Sequence, residues 1–128
     1  MKKVIALAAL GSLMAWTHAY AEWTFVTHNE ALKVSVFVDY ETIRAERDVR
    51  KALELWNYET RTQDGELSTL VQSEFDCAQG RKRMLQFTLY SERDGAGQVI
   101  YSEDVSDTWK LLSPRSVGYV LLKDVCTR

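Results

Sequence analysis

Arg81, Lys82 and Arg83 are the only three consecutive cations in this chain, whose formal net charge is -2. Three adjacent positive side chains have two established uses. They dock an acidic protein or a sulfated glycan such as heparin, or they place charge on a strand edge so that no further strand pairs there. On an extended strand Arg81 and Arg83 share one face while Lys82 points to the other. Carboxylates gather at Glu103, Asp104 and Asp107 and around Asp39 and Glu41, where calcium binding or paired acid–base work is conceivable. Neither group follows the spacing of an EF-hand loop, and both read as solvated turn residues.

Nucleophilic chemistry has few carriers. Cys77 and Cys126 are the only cysteines, and beyond the first 21 residues His28 is the only histidine. Cys-x-x-Cys spacing is absent, and a zinc site would need two ligands beyond the pair of thiolates where only His28 is available. In an oxidising compartment an even pair is most simply one disulfide, closing a loop of about 50 residues. The chain-entropy account assigns such a loop roughly 4 kcal/mol. With both thiols paired, no thiolate remains for a Cys–His arrangement. A Ser–His–Asp triad can be drawn from His28 and one of many serines, but no Gly-x-Ser-x-Gly elbow is present. The expectation is a protein that is not an enzyme and carries no cofactor or metal.

The compartment is legible at the amino terminus. Lys2 and Lys3 precede an uncharged apolar run, Val4 to Trp16, and Ala19 and Ala21 flank Tyr20 as a signal peptidase requires. Residues 1–21 are therefore expected to be a secretory signal peptide, and residues 22–128 a single exported domain in the periplasm, at the cell surface or secreted. The run of about 13 residues is shorter than the ~20 a membrane-spanning helix needs. No cysteine near the cleavage site could carry a bacterial lipid anchor, and no other apolar run is long enough to cross a bilayer. Removing Lys2 and Lys3 from the 16 basic side chains leaves 14 against 18 acidic ones, a net charge of -4 on 107 residues. That balance argues against nucleic acid or anionic lipid as the main partner.

The elements that must position these residues read mostly as strands. Trp23 to Thr27 is β-rich and is expected to break at His28-Asn29-Glu30. Val34, Val36 and Val38 alternate with Ser35, Phe37 and Asp39, the two-residue period of a half-buried strand over Lys33–Asp39. Tyr40 to Asp48 reads as a loop, with room for a helical turn. Lys51–Thr60 resumes strand character, with Leu53 and Leu55 opposite Trp56 and Tyr58. Asp64-Gly65 suits a tight hairpin into Leu67–Cys77. Ala78-Gln79-Gly80 leads into Lys82–Tyr90, and Asp94-Gly95-Ala96-Gly97 into Gln98–Ser102. Trp23, Trp56, Trp109 and Tyr58 read as core rather than as a sugar-stacking platform. Ser113-Pro114 or Ser116 opens a helix on which Val117, Leu121 and Val125 share a face. The expected fold class is α+β: a meander of about six antiparallel strands covered by a C-terminal helix, which the disulfide clamps.

Along the whole exported region this pattern resembles the surface-adhesin protein E-like domains of Gram-negative bacteria. The matching residues are Trp23, then Asp39, Thr42 and Ile43, Trp56, Ser73, Asp76-Cys77, Arg83, Tyr90 and Gly97. Trp109, Pro114 and Ser116 follow, ahead of the terminal Cys126. The resemblance implies a curved antiparallel sheet with a disulfide-held helix, and a surface protein that binds host matrix proteins such as vitronectin and laminin. The family's named adhesin is lipid-anchored and is expected to expose basic residues ahead of its first cysteine, whereas here Gln63-Asp64-Gly65-Glu66 is acidic. A soluble periplasmic protein-binding or inhibitor module is the alternative expectation. For either, Arg81, Lys82 and Arg83 are the candidate ligand-binding residues.

Overall fold

The computed structural model describes residues 21–128, so the expected signal peptide lies, but for Ala21, outside the described residues. Valine alternation sets the first long strand. Val34, Val36 and Val38 are all fully buried in β2 (Val34–Glu46), which pairs on one side with β1 (Thr24–Asn29) and on the other with β3 (Val49–Tyr58). The meander continues through β4 (Ser68–Asp76), β5 (Arg81–Tyr90) and β6 (Val99–Asp104), every neighbour antiparallel and in chain order. A short β7 (Lys110–Leu111) pairs with β5 through Arg81 and Lys82, beyond the reach of β6.

Two expected boundaries move. β1 runs through His28 to Asn29, because His28 pairs with Ser35 across the hairpin. Of the Tyr40–Asp48 stretch expected as a loop, all but Arg47 and Asp48, which form the turn, is the far half of β2. A bulge between Asp39 and Arg44 interrupts the ladder, and side chains take over its hydrogen bonds. Asp39 Oδ1 accepts from the Glu41 amide (3.0 Å), while Thr42 Oγ1 donates to the Asp39 carbonyl (2.6 Å) and accepts from the Leu53 amide (3.3 Å). Pairing then resumes at Arg44 opposite Lys51 and carries a charged hairpin to its turn, where Arg47 adopts a φ of 55°. Polar composition marked this segment as loop-like; the pairing with β3 that resumes past the bulge is what makes it a strand.

The helix α1 (Val117–Val125) begins at Ser116, whose hydroxyl accepts from the Tyr119 amide at 3.2 Å. Val117, Leu121, Leu122 and Val125 are buried against Val34, Val36, Val38, Ala52 and Phe75, which gives the sheet one helix-bearing face and one far face. Cys77, just past β4, is bonded to Cys126 at the helix end, with Cα atoms 5.8 Å apart. Asp76 shapes the turn that presents Cys77: its Oδ1 accepts from the Gln79 amide and its carbonyl from the Gly80 amide. On the other side of the helix end, Tyr40 donates to Asp124 Oδ2 at 2.7 Å, and the Arg128 guanidinium lies 3.9 Å from the Tyr40 ring.

Candidate functional site

The alternation of β5 splits the three-cation run across both faces, as strand geometry requires. On the far face Arg81 Nε donates to Asp76 Oδ2 at 2.8 Å, and Arg83 donates from Nε and one Nη to Glu74 Oε1 at 3.1 and 2.9 Å. Both guanidiniums also lie over the Trp109 ring, at 4.9 and 4.5 Å from its centroid. The Arg81 hydrogen bond holds the Asp76 carboxyl below its ordinary range, against burial, with the Gln79 amide reinforcing it. Trp109 is therefore neither buried core nor a bare stacking surface; its ring carries two arginines. β5 is not an edge at this point either, since β7 pairs with Arg81 and Lys82. Edge protection is thus not the role of Arg81 or Lys82, while Arg83 lies in the gap between β7 and β6.

Lys82 enters the helix-bearing face. Its Nζ lies 2.9 Å from Oε1 and 2.8 Å from Oε2 of Glu54, a side chain with no exposed surface. The Trp56 indole donates to the same Glu54 Oε1 at 2.9 Å, and the ammonium lies 5.1 Å from the Phe75 ring centroid. Glu54 is a residue that sequence reasoning passed over. Its signal was present: once Trp56 is placed inward, the two-residue period puts Glu54 inward too, and a buried carboxylate demands a cation.

Strand register extends the far-face cations into a row. Arg44 on β2 stands opposite Lys51 on β3, Lys51 opposite Glu74 on β4, and Glu74 opposite Arg83 on β5. Like charges placed directly opposite destabilise a pair of strands, so the Arg44–Lys51 pairing is not there for stability. Arg44 is held by the carbonyls of Glu41 and Ile43 rather than by a carboxylate. A cleft of about 530 Å³ opens beside Arg44, Lys51 and Gln72.

A second depression, of about 290 Å³, lies on the helix-bearing face where α1 leaves the sheet uncovered. Trp56, Tyr58, Val71, Phe87 and Leu89 line it, with Glu66 and Lys82 also at its wall. Glu66 comes from the loop after β3, where the Asp64-Gly65 turn closes through a Gly65 amide to Thr62 carbonyl bond. Burial, with the Glu66 carboxylate adding to it, raises the Tyr58 phenol above its ordinary range.

The remaining candidates separate clearly. Asp39 is buried and bound into the bulge, which makes it a structural acceptor rather than the solvated turn residue expected. Glu103 accepts from Tyr101 (2.8 Å) and Asp107 faces Lys110 (3.9 Å). His28, by contrast, gathers partners: Nδ1 lies 2.9 Å from Ser35 Oγ, and Nε2 lies 3.2 Å from Glu30 and 3.4 Å from Glu59. That is a serine, an imidazole and a carboxylate in sequence. Near Ser35, Asn57 Nδ2 donates to Asp94 and Arg93 to the Glu59 carbonyl.

The model of the surface-adhesin protein E family matches residues 23–127. Solved structures of Haemophilus influenzae protein E are similar in fold. One crystal form shares 13% identity over 80% of this chain and 87% of that chain, with a TM-score of 0.60. Protein E from non-typeable Haemophilus influenzae shares 12% over 80% of this chain and 75% of that chain, with a TM-score of 0.52. No protein of curated function matches. The chain belongs to the surface-adhesin protein E family.

Proposed function

We propose, from that membership, that the chain is an exported, non-enzymatic binding protein which engages an acidic or sulfated ligand, a host matrix protein or its glycan, through the far face of its sheet. The signal peptide at residues 1–21 would deliver residues 22–128 as the working domain. The observation that carries the reading is the row Arg44, Lys51 and Arg83, extended by Arg81, across four strands of one rigid face. A net-acidic protein attracts an anion only through such a local concentration of cations. Trp109 and the two carboxylates hold the guanidiniums in place, so little side-chain freedom is lost when a ligand arrives. Each arginine keeps donors beyond those given to Asp76 and Glu74. Lys82 serves the site from behind by fixing β5 to β3 and is not itself a contact.

The test is binding to immobilised heparin and to vitronectin by the protein and by Arg81→Gln/Arg83→Gln. A loss of about tenfold or more is expected, and adding Arg44→Gln/Lys51→Gln should deepen it. Binding by the unchanged protein should fall as salt rises, because the Debye length contracts from about 10 Å at 0.1 M to about 3 Å at 1 M. Salt-insensitive binding that survives all four changes refutes the assignment.

A further inference from the structure

We propose that the open groove on the helix-bearing face receives an arginine side chain, flanked by apolar residues, from an extended segment of a protein partner, with Glu66 as its counter-ion. The inference rests on the binding-protein reading for the class of partner, but it concerns a different surface.

Its starting point is Glu66, which is only 6% exposed and whose Oε2 is buried without a hydrogen-bond partner among the described residues. Buried carboxylate oxygens in native proteins are almost always paired, because desolvating the charge is costly. Lys82 also reaches the groove but does not serve Glu66, since its ammonium lies between both oxygens of Glu54. Glu66 thus places a carboxylate, with one oxygen buried and unpaired, in the wall of a cavity of about 290 Å³ that is otherwise largely aromatic and aliphatic.

The wall chemistry selects the ligand. Tyr58, Trp56 and Phe87 put aromatic rings in the wall, the kind of surface a cation favours, and the Lys82 ammonium already lies 5.9 Å from the Trp56 ring centroid. A guanidinium stacks on such rings while its planar fork of donors matches a carboxylate, and its aliphatic stem suits Leu89 and Met84. A compact, strongly hydrated ion gains little from those walls. The apolar surface also continues past one side chain. Phe87 and Leu89 adjoin Ile100 and Tyr101 in a neighbouring depression of about 380 Å³. The Phe87 and Tyr101 rings are 5.7 Å apart. Ile100 and Tyr101 are 41% and 49% exposed. That length favours a chain segment, with apolar residues on either side of the arginine, over a free small cation.

The probe is the peptide acetyl-Leu-Arg-Leu-amide, compared with the same peptide carrying citrulline, which keeps the shape and removes the charge. Saturable shifts of the Trp56 indole N–H signal are expected with the arginine peptide, and binding about tenfold weaker or less with citrulline, a difference of 1.4 kcal/mol. E66Q should weaken the arginine peptide by a similar factor and abolish the preference, while leaving heparin binding intact. Equal binding of the two peptides, no saturable binding of either, or an undiminished preference in E66Q overturns the proposal. The citrulline comparison needs no variant, so it decides the matter even if E66Q folds poorly. A far-face failure is separately visible, because the Arg81→Gln/Arg83→Gln variant should keep the arginine peptide.

Discussion

Lys82 and Arg83 are adjacent in the chain, both basic and both ion-paired, yet they occupy unlike regions of the molecule. Arg83 lies on the far face with its side chain 36% exposed, against a Glu74 that is 21% exposed. Lys82 faces inward at 15%, against a Glu54 at 0%. On the far face water competes with the pair, and the aromatic contact with Trp109 mainly orients the guanidinium. On the helix-bearing face water is excluded, so each charge depends on the other. The lesson is that a basic run on a strand alternates between surface and interior, and only its odd members reach the surface where the proposed ligand would meet them.

Lys82→Ala should have the largest effect. It strands a fully buried carboxylate and should cost about 3–5 kcal/mol in chemical denaturation. Replacing the pair together, Glu54→Leu with Lys82→Met, should recover most of that loss, because no uncompensated charge remains. If Lys82→Ala is silent, Glu54 is not a charge that depends on Lys82.

Cys126→Ala should cost about 2–5 kcal/mol, the usual loss when a native disulfide leaves a small domain. The helix, not the far face, depends on that bond, so heparin binding per folded molecule should persist. Arg83→Ala stands at the small end, with a stability change of about 1 kcal/mol or less but a clear loss of ligand. A large stability loss there would erase the distinction between the faces.

Titration separates the faces once more. Asp76 on the far face has its pKa lowered from 3.8 in the folded state, first by the Arg81 bond. Its contribution is therefore complete above that ordinary value and is lost as pH falls through the lower folded one. Tyr58 on the helix-bearing face is raised from 10.0, first by burial. Its contribution is present below that value and is lost as pH rises through the folded one. Asp76→Asn should flatten the acid limb of the stability profile and Tyr58→Phe the alkaline limb, each leaving the other in place. A single variant that flattened both would overturn the division.

Much of this architecture follows from local pattern. The alternation of Val34, Val36 and Val38, the Ser116 cap, the Val117–Leu121–Val125 stripe and the even cysteine pair each encode their outcome within a few residues or by compartment alone. Strand parity likewise separated Arg81 and Arg83 from Lys82. The bulge at Asp39–Thr42 was not legible, because its polar residues look the same whether they face water or bond to the backbone of a neighbouring strand. The carboxylates assigned to the three cations were hidden for a related reason. Glu54, Glu74 and Asp76 lie 28, 9 and 5 positions away in the chain, and only register brings them across. The groove, too, exists because α1 stops short of Trp56 and Leu89, a matter of where a helix docks rather than of what it contains. Periodicity and charge, being local, were settled by the sequence itself. Which charges meet, and which surface stays uncovered, depended on contacts between distant strands and was decided by the tertiary fold.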